Sequence, residues 1–221
     1  MTEAERDDLP ASRRYGTNRL EAFSDGVLAI AVTLLVLELS VPEVGGSGLL
    51  AALAAQWPEY LAYLVSFSTI GAIWVAHSAV TEYLDAADPT ILRINLLLLF
   101  FVSLLPFTTR LLAENFEVED AERVAVTIYG LNLLLASLTL SAMWQWARHA
   151  GLVSDVSRQE ELRFLKRRLA PGVGGYLAII VVGIFQPTLA VLGFLAIAIF
   201  FLIPLGAFRI ARSARSTLPR T

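Results

Sequence analysis

The sequence contains no cysteine among its 221 residues. Disulfides, thiolate metal sites and thiol-based catalysis are therefore excluded for these residues. Histidine is almost as scarce, since only His77 and His149 occur, and neither has the spacing with a glutamate that a zinc site would use. We expect neither a metal site nor a cofactor.

Charge is the next shortage. Asp, Glu, Lys and Arg make up 17% of the chain, while 56% is hydrophobic and the mean hydropathy is +0.64; soluble domains average about 25% charge. The charges fall between apolar runs of about 20 residues, the length of a helix that crosses a hydrocarbon layer ~30 Å thick. These runs show no alternation of period two, so strands are not expected. The composition predicts an all-α integral membrane protein, surrounded by a lipid bilayer and with no nucleic-acid partner.

Six apolar runs are candidate transmembrane spans. Proline or glycine separates several of them: Pro42 ends the first, Pro58 and Pro89 open the second and third, and Pro187 opens the sixth. A kink is expected at Pro106, inside the third span. The polar segment 1–19 does not resemble a signal peptide. The predicted spans cover about 20–41, 57–80, 89–112, 124–147, 169–185 and 188–208.

The basic residues predict the orientation. With six spans, all of the 17 Lys and Arg except Arg110 and Arg123 lie on the side that holds both termini. Under the positive-inside rule that side is cytoplasmic. The segment 1–19 and the basic tail 209–221 are therefore expected in the cytoplasm. The Arg-rich, Ala- and Leu-rich composition indicates a bacterial chain, so a multi-pass position in the cell membrane is expected.

The first span carries a charge that needs an explanation. Asp25 lies just inside the apolar run, where a charge costs up to about 2.5–3.5 kcal/mol at the helix centre, so we expect it to face protein or water. At 100° per residue a stripe of medium-sized side chains faces roughly the opposite direction. From the residues alone, this stripe indicates a helix-packing seam. Its members are Ile30, Thr33, Leu34, Leu37 and Val41.

The motif in this span resembles a known family. It consists of Arg19, then Phe23-Ser24-Asp25-Gly26, then Ile30-Ala-Val-Thr-Leu, closed by Pro42. Trp74-Val-Ala-His77 and the run from Asn95 to Pro106 extend the likeness into the second and third spans. The pattern is similar to that of the transmembrane protein 175 family, the lysosomal potassium channels and their prokaryotic relatives. The single six-span repeat resembles the prokaryotic form.

The resemblance implies a potassium-permeable cation channel. Four copies of the first helix would surround a central pore in a homotetramer, with Na+ and H+ as further candidate ions. Ile30, Leu34 and Leu37 would form apolar rings and Thr33 a polar one. Such a hydrophobic constriction can gate by dewetting. No Thr-Val-Gly-Tyr-Gly filter occurs, so the expected preference for K+ over Na+ is modest.

The polar residues would serve a different purpose from the stripe. The resemblance implies that they tie the first helix to the second and third spans rather than line the ion path; the set is Arg19, Phe23, Ser24, Asp25, Trp74, His77 and Asn95. Asp25 or His77 could then titrate and make opening depend on pH. A satisfied interhelical hydrogen bond is the simpler interpretation of His77.

Two other functional classes remain as alternatives. A secondary transporter would need a midplane site, often with broken helices and inverted repeats, and the second half of the chain shows no echo of Phe23-Ser24-Asp25. A membrane enzyme would need a nucleophile with its base, or clustered acidic or histidine residues in one cavity. The sequence offers no such catalytic group, so we expect no enzyme. The secondary transporter is kept as the alternative to a channel.

Overall fold

The structure, a computed structural model, describes residues 15–42, 48–116, 119–153 and 159–202, with the backbone alone for residues 119 and 159–171. The predicted cytoplasmic residues 1–14, the end of the sixth span at 203–208 and the basic tail 209–221 lie outside these ranges. Within them the helices are α1 Thr17–Leu34, α2 Leu49–Ala55, α3 Trp57–Glu82, α4 Pro89–Ser103, α5 Leu105–Glu114, α6 Glu119–His149, α7 Gln159–Phe185 and α8 Pro187–Leu202.

The described chain is helical almost throughout. Its β pairing consists of two isolated bridges, Tyr15 with Ala87 and Leu84 with Val153. Four helical stretches in these ranges are long and apolar enough to cross a membrane: Thr17–Glu38, Trp57–Glu82, Pro89–Glu114 and Asp120–His149. Gly172–Phe185 and Pro187–Leu202 are shorter apolar helices. Such an arrangement satisfies every backbone polar group inside its own helix, as a hydrocarbon environment requires.

Proline and a side-chain cap set several helix starts. The Asp88 carboxylate accepts a 2.7 Å hydrogen bond from the Ile91 amide at the start of α4, which satisfies one of the amides that a helix leaves free at its first turn. The same carboxylate accepts from the Trp146 indole of α6 at 2.9 Å. Asp88 therefore fixes the start of α4 against the end of α6.

The third predicted span is two helices in the structure. Residues 89–112 were expected as one kinked helix, but α4 ends at Ser103 and α5 starts at Leu105. Pro106, at the second position of α5, has no amide hydrogen for the preceding turn. The Asn132 side chain of α6 donates to the Phe101 carbonyl at 3.2 Å beside this break. Helix α2 was not predicted at all, because its seven residues are too few to register as a span.

Helix α6 is the centre of the bundle. It packs against α4, α5 and α7, while α3 packs against α8 and α5. Helix α6 approaches α7 and α8 closely at Gly130, which has no side chain. A Cβ built at this position would lie 2.7 Å from both Ile180 and Phe194. This is the packing expected in a membrane, where small residues let helix backbones come together. Helix α1 lies against α3, α4 and α5, and so sits at the side of the bundle.

Candidate functional site

Helix α1 has one buried face and one exposed face. Leu20, Ser24, Leu28, Ala31 and Leu35 are buried against the bundle. Their spacing of three and four residues places them on one side of a helix. On the other side lies the predicted stripe, where Ile30 is 60% and Leu37 is 73% exposed. In the single chain this row of apolar side chains is therefore exposed.

The end of α1 changes its winding without losing this stripe. Residues Leu35–Glu38 form a 3-10 turn, in which side chains three residues apart lie directly above one another. Leu37 therefore stays above Leu34 on the exposed face. Glu38 stays above buried Leu35, and its carboxylate lies 3.9 Å from the Arg110 guanidinium of α5.

Thr33 presents its oxygen on the exposed face in a defined orientation. Its hydroxyl donates a 2.9 Å hydrogen bond to the Ile30 carbonyl one turn earlier. Since the hydroxyl hydrogen is used inside the helix, the remaining lone pairs of the oxygen point away from it. Thr33 can therefore accept from water or contact a cation on the exposed side.

Three predicted polar residues meet in one buried chain of hydrogen bonds. Asn95 of α4 donates from Nδ2 to Ser24 Oγ at 2.9 Å, and Ser24 donates to the Leu20 carbonyl at 2.8 Å. Asn95 Oδ1 lies 2.9 Å from His77 Nε2 of α3; because an amide oxygen can only accept, Nε2 carries the hydrogen in this contact. The chain links α3, α4 and α1 through groups that are all buried.

A second contact ties the same part of α1 to α3. The Trp74 indole Nε1 donates to Asp25 Oδ1 at 3.0 Å, and both side chains are exposed at the surface of the subunit. Asp25 therefore has the partner that its position in an apolar helix requires. It projects to the flank of α1 away from the stripe, as the helical periodicity predicts.

The structure does not bring Arg19 and Phe23 to the polar network within the described residues of one chain. Both are exposed, Phe23 to 55%, and Arg19 has no hydrogen-bond or ion-pair partner among the described residues. Residues 19, 23 and 30 are separated by four and seven positions, so they share one face of α1. Arg19 and Phe23 thus lie on the face of α1 that also carries Ile30, toward the start of the helix.

Sequence reasoning missed the contacts at the other end of α1. Glu59 in the first turn of α3 accepts from the backbone amide of Ser40 at 2.8 Å and from its hydroxyl at 2.9 and 3.0 Å. Gln56 Nε2 also donates to Ser40 Oγ at 2.6 Å. The residues gave no periodic signal for these bonds, since Ser40 follows the helical part of α1.

A further buried hydroxyl cluster was also missed. Ser66 Oγ lies 2.6 Å from Thr109 Oγ1 and 3.0 Å from the Tyr129 hydroxyl. The three residues come from α3, α5 and α6, so the cluster joins the helices behind α1. In the part of the chain that the structure describes, no group of three or more His, Asp or Glu side chains could hold a metal ion.

Comparison with known proteins places this architecture in a family. The family model described as the endosomal/lysosomal potassium channel TMEM175 matches residues 19–106. A potassium channel of Streptomyces collinus is 43% identical over 140 residues, which are 63% of this chain and 68% of that protein. A potassium channel of Chamaesiphon minutus is 36% identical over 197 residues, 87% of this chain and 97% of that protein. The chain belongs to the TMEM175 family.

A solved structure agrees with this assignment. The crystal structure of a TMEM175 homolog from Chamaesiphon minutus, described as a lysosomal potassium-selective channel homolog, matches with a TM-score of 0.75 at 35% identity. The match covers 84% of this chain and 95% of that chain. The family model begins at Arg19 and ends at Pro106. It thus covers α1 from Arg19 onward, α3 and α4, and with them the stripe, the Ser24–Asn95–His77 chain and the Asp25–Trp74 bond.

Proposed function

We propose that this protein is a potassium-permeable cation channel whose pore is lined by the exposed face of α1. The observation that carries the proposal is the stripe of Ile30, Thr33, Leu34 and Leu37, which is exposed in the single subunit. The family's bacterial relatives named above are potassium channels by name. A homotetramer would bring four such stripes together around one axis.

The proposed pore has a hydrophobic constriction. Between Ile30 and Leu37 the helix rises about 10 Å, and the side chains facing outward there are apolar except for Thr33. A narrow apolar passage resists wetting until it widens, so it can act as a gate. Thr33 oxygens would be the polar groups available to a partly dehydrated ion. This supports a modest preference for K+ over Na+, with H+ as another candidate ion.

Helix α1 would be positioned by the contacts on its buried side. The Ser24–Asn95–His77 chain and the Asp25–Trp74 bond fix its first half to α3 and α4. Arg19 and Phe23 would then face the pore axis at the end where the basic residues accumulate. The positive-inside rule makes that end cytoplasmic, and a bacterial cell membrane is the proposed location. The protein would act as a channel and not as an enzyme.

Ion flux from liposomes tests the proposal. Purified protein is reconstituted under a K+ gradient, and the rates for K+ and Na+ are compared between wild type, Ile30→Asn and the control Ile128→Asn. Ile128 is an exposed residue of α6, so the control places the same polar group away from the stripe. We expect Ile30→Asn to raise the rate and lower the K+ preference, because a polar ring wets the constriction. An inactive wild type, or equal effects of both variants, would refute the α1 pore.

A further inference from the structure

The outer end of α1, beyond the 3-10 turn, is held almost entirely by polar contacts. Beyond the turn Ser40 and Val41 are exposed and Leu39 and Pro42 are only half-buried, so apolar packing contributes less there than at the buried Leu35. The Glu38–Arg110 pair spans 3.9 Å and its guanidinium is 63% exposed, which makes it a weak contact. The bonds between Ser40 and Glu59 are shorter and involve a carboxylate, and such charge-assisted bonds are about twice as strong as neutral ones.

The geometry around Ser40 forms a small polar cage. One Glu59 oxygen accepts from both the backbone amide and the hydroxyl of Ser40, and the other accepts from the hydroxyl as well. Gln56 Nε2 donates to the same hydroxyl oxygen, and its Oε1 accepts from the Tyr60 hydroxyl at 3.4 Å. Gln56, Glu59 and Tyr60 all belong to the start of α3, so the cage grips the chain only three residues after Leu37.

The first turn of α3, which carries Glu59, is itself held in place by packing. Glu59 lies in the first turn, where the helix dipole favours a carboxylate. Trp57 packs edge-on against Phe116 with ring centroids 5.1 Å apart, which ties this turn to the end of α5. A displacement of the outer end of α1 away from α3 would therefore break the Ser40–Glu59 bonds.

We propose that Glu59 is a positioning residue for conduction: by binding Ser40 it fixes Leu37 at the outer end of the constriction and so maintains ion selectivity. The inference rests on the proposed pore. Glu59 does not contact the ion path, and it acts through Ser40 and the 3-10 turn. A carboxylate that served only as a favourable charge in the first turn of α3 would have no need of Ser40, and this difference can be tested.

Backbone amide hydrogen exchange tests the Ser40–Glu59 hydrogen bond independently of conduction. In wild type the Ser40 amide is hydrogen-bonded, so exchange in a peptide covering residues 37–41 is slowed. We expect Glu59→Ala to speed this exchange about 3- to 10-fold, the ratio that the loss of one hydrogen bond produces. Glu59→Gln keeps an acceptor oxygen and should give an intermediate rate. Unchanged exchange in Glu59→Ala overturns the inference, whatever the flux measurements show.

Flux measurements then test the link to selectivity. We expect Glu59→Ala to lower the ratio of K+ to Na+ rates, and Glu59→Gln to restore part of it. Ser40→Ala should have a smaller effect alone and none in the Glu59→Ala background, since coupled residues are not additive. Asp120→Ala removes another exposed acid at the same end of the bundle, and its ratio should equal that of wild type.

The outcomes separate the two proposals. An inactive wild type refutes the channel, and the role of Glu59 in conduction fails with it. A conducting wild type whose selectivity survives Glu59→Ala refutes the positioning role alone. The same holds if Asp120→Ala lowers the ratio as much as Glu59→Ala does, because negative charge near the mouth would then be sufficient. Additive effects of Ser40→Ala and Glu59→Ala would likewise overturn the coupling.

Discussion

Asn95 donates a 2.9 Å hydrogen bond to Ser24 across 71 residues of chain, and the same amide receives a hydrogen from His77. One side chain thereby joins α4 to both α1 and α3. All three groups are buried. If Asn95 were replaced by an apolar residue, His77 Nε2 would lose this acceptor and Ser24 Oγ would lose its donor, although Ser24 would keep its bond to the Leu20 carbonyl.

The first prediction concerns Asn95→Leu. The change removes the acceptor of His77 Nε2 and the donor to Ser24 Oγ, so we expect the free energy of unfolding to fall by about 1–3 kcal/mol. Thermal unfolding in detergent should show a lower midpoint. Asn18→Leu makes the same substitution at an exposed position of α1 and should leave the midpoint nearly unchanged. Equal midpoints for the two variants would mean that the buried chain adds no stability.

The second prediction concerns pH. Protonation of His77 adds a positive charge beside α1 and makes its surroundings less favourable for a cation. We therefore expect the K+ rate to fall as pH is lowered and His77 gains its second proton. Liposome flux at matched pH on both sides measures this.

Conservative variants identify the responsible group. His77→Gln can still donate to Asn95, and Asp25→Asn can still accept from Trp74, but neither titrates. At least one of them should flatten the pH dependence. His149→Gln removes the other histidine, which is exposed on α6, and should retain the wild-type response. If both conservative variants respond to pH as wild type does, neither group is the sensor.

The sequence predicts the location of the apolar helices and the identity of the α1 stripe, because both depend on local periodicity. It also predicts that Asp25 needs a partner, because a charge in an apolar helix is costly. The same periodicity, through the spacing of Arg19 to Phe23 and Ile30, places Arg19 on the exposed face of α1.

Other features could not be derived from the sequence in this way. Pro106 indicates a kink in this region, but the bond that Asn132 donates to the Phe101 carbonyl beside the break comes from another helix. The Ser40–Glu59 bonds join positions 19 residues apart whose separation is set by the path of the chain between two helices. A pattern with a period of 3.6 carries no information on such contacts. They depend on how helices pack together.

The third prediction tests helix packing around α6. A Cβ at Gly130 would meet Ile180 and Phe194 at 2.7 Å, and such overpacking costs about 1–3 kcal/mol. Gly130→Ala should therefore lower the thermal midpoint. Gly174→Ala is the matched control, because its Cβ meets nothing within 4 Å and the change adds up to about 1 kcal/mol of helix propensity. A midpoint for Gly130→Ala at or above that of Gly174→Ala would contradict the packing of α6 against α7 and α8.

The last prediction uses the absence of cysteine, because any single introduced thiol is the only one in the 221-residue chain. A positively charged, water-soluble thiol reagent should react with Ile30→Cys, Leu34→Cys and Leu37→Cys and reduce the K+ rate, since the attached group would obstruct the proposed pore. Leu28→Cys and Ala31→Cys place the thiol on the buried face of α1 and should retain their rate after treatment. The alternating pattern follows from the helix itself: residues 28 and 31 face the bundle while 30, 34 and 37 face away. Inhibition at Leu28→Cys but not at Leu34→Cys would mean that α1 presents its other face to the ions.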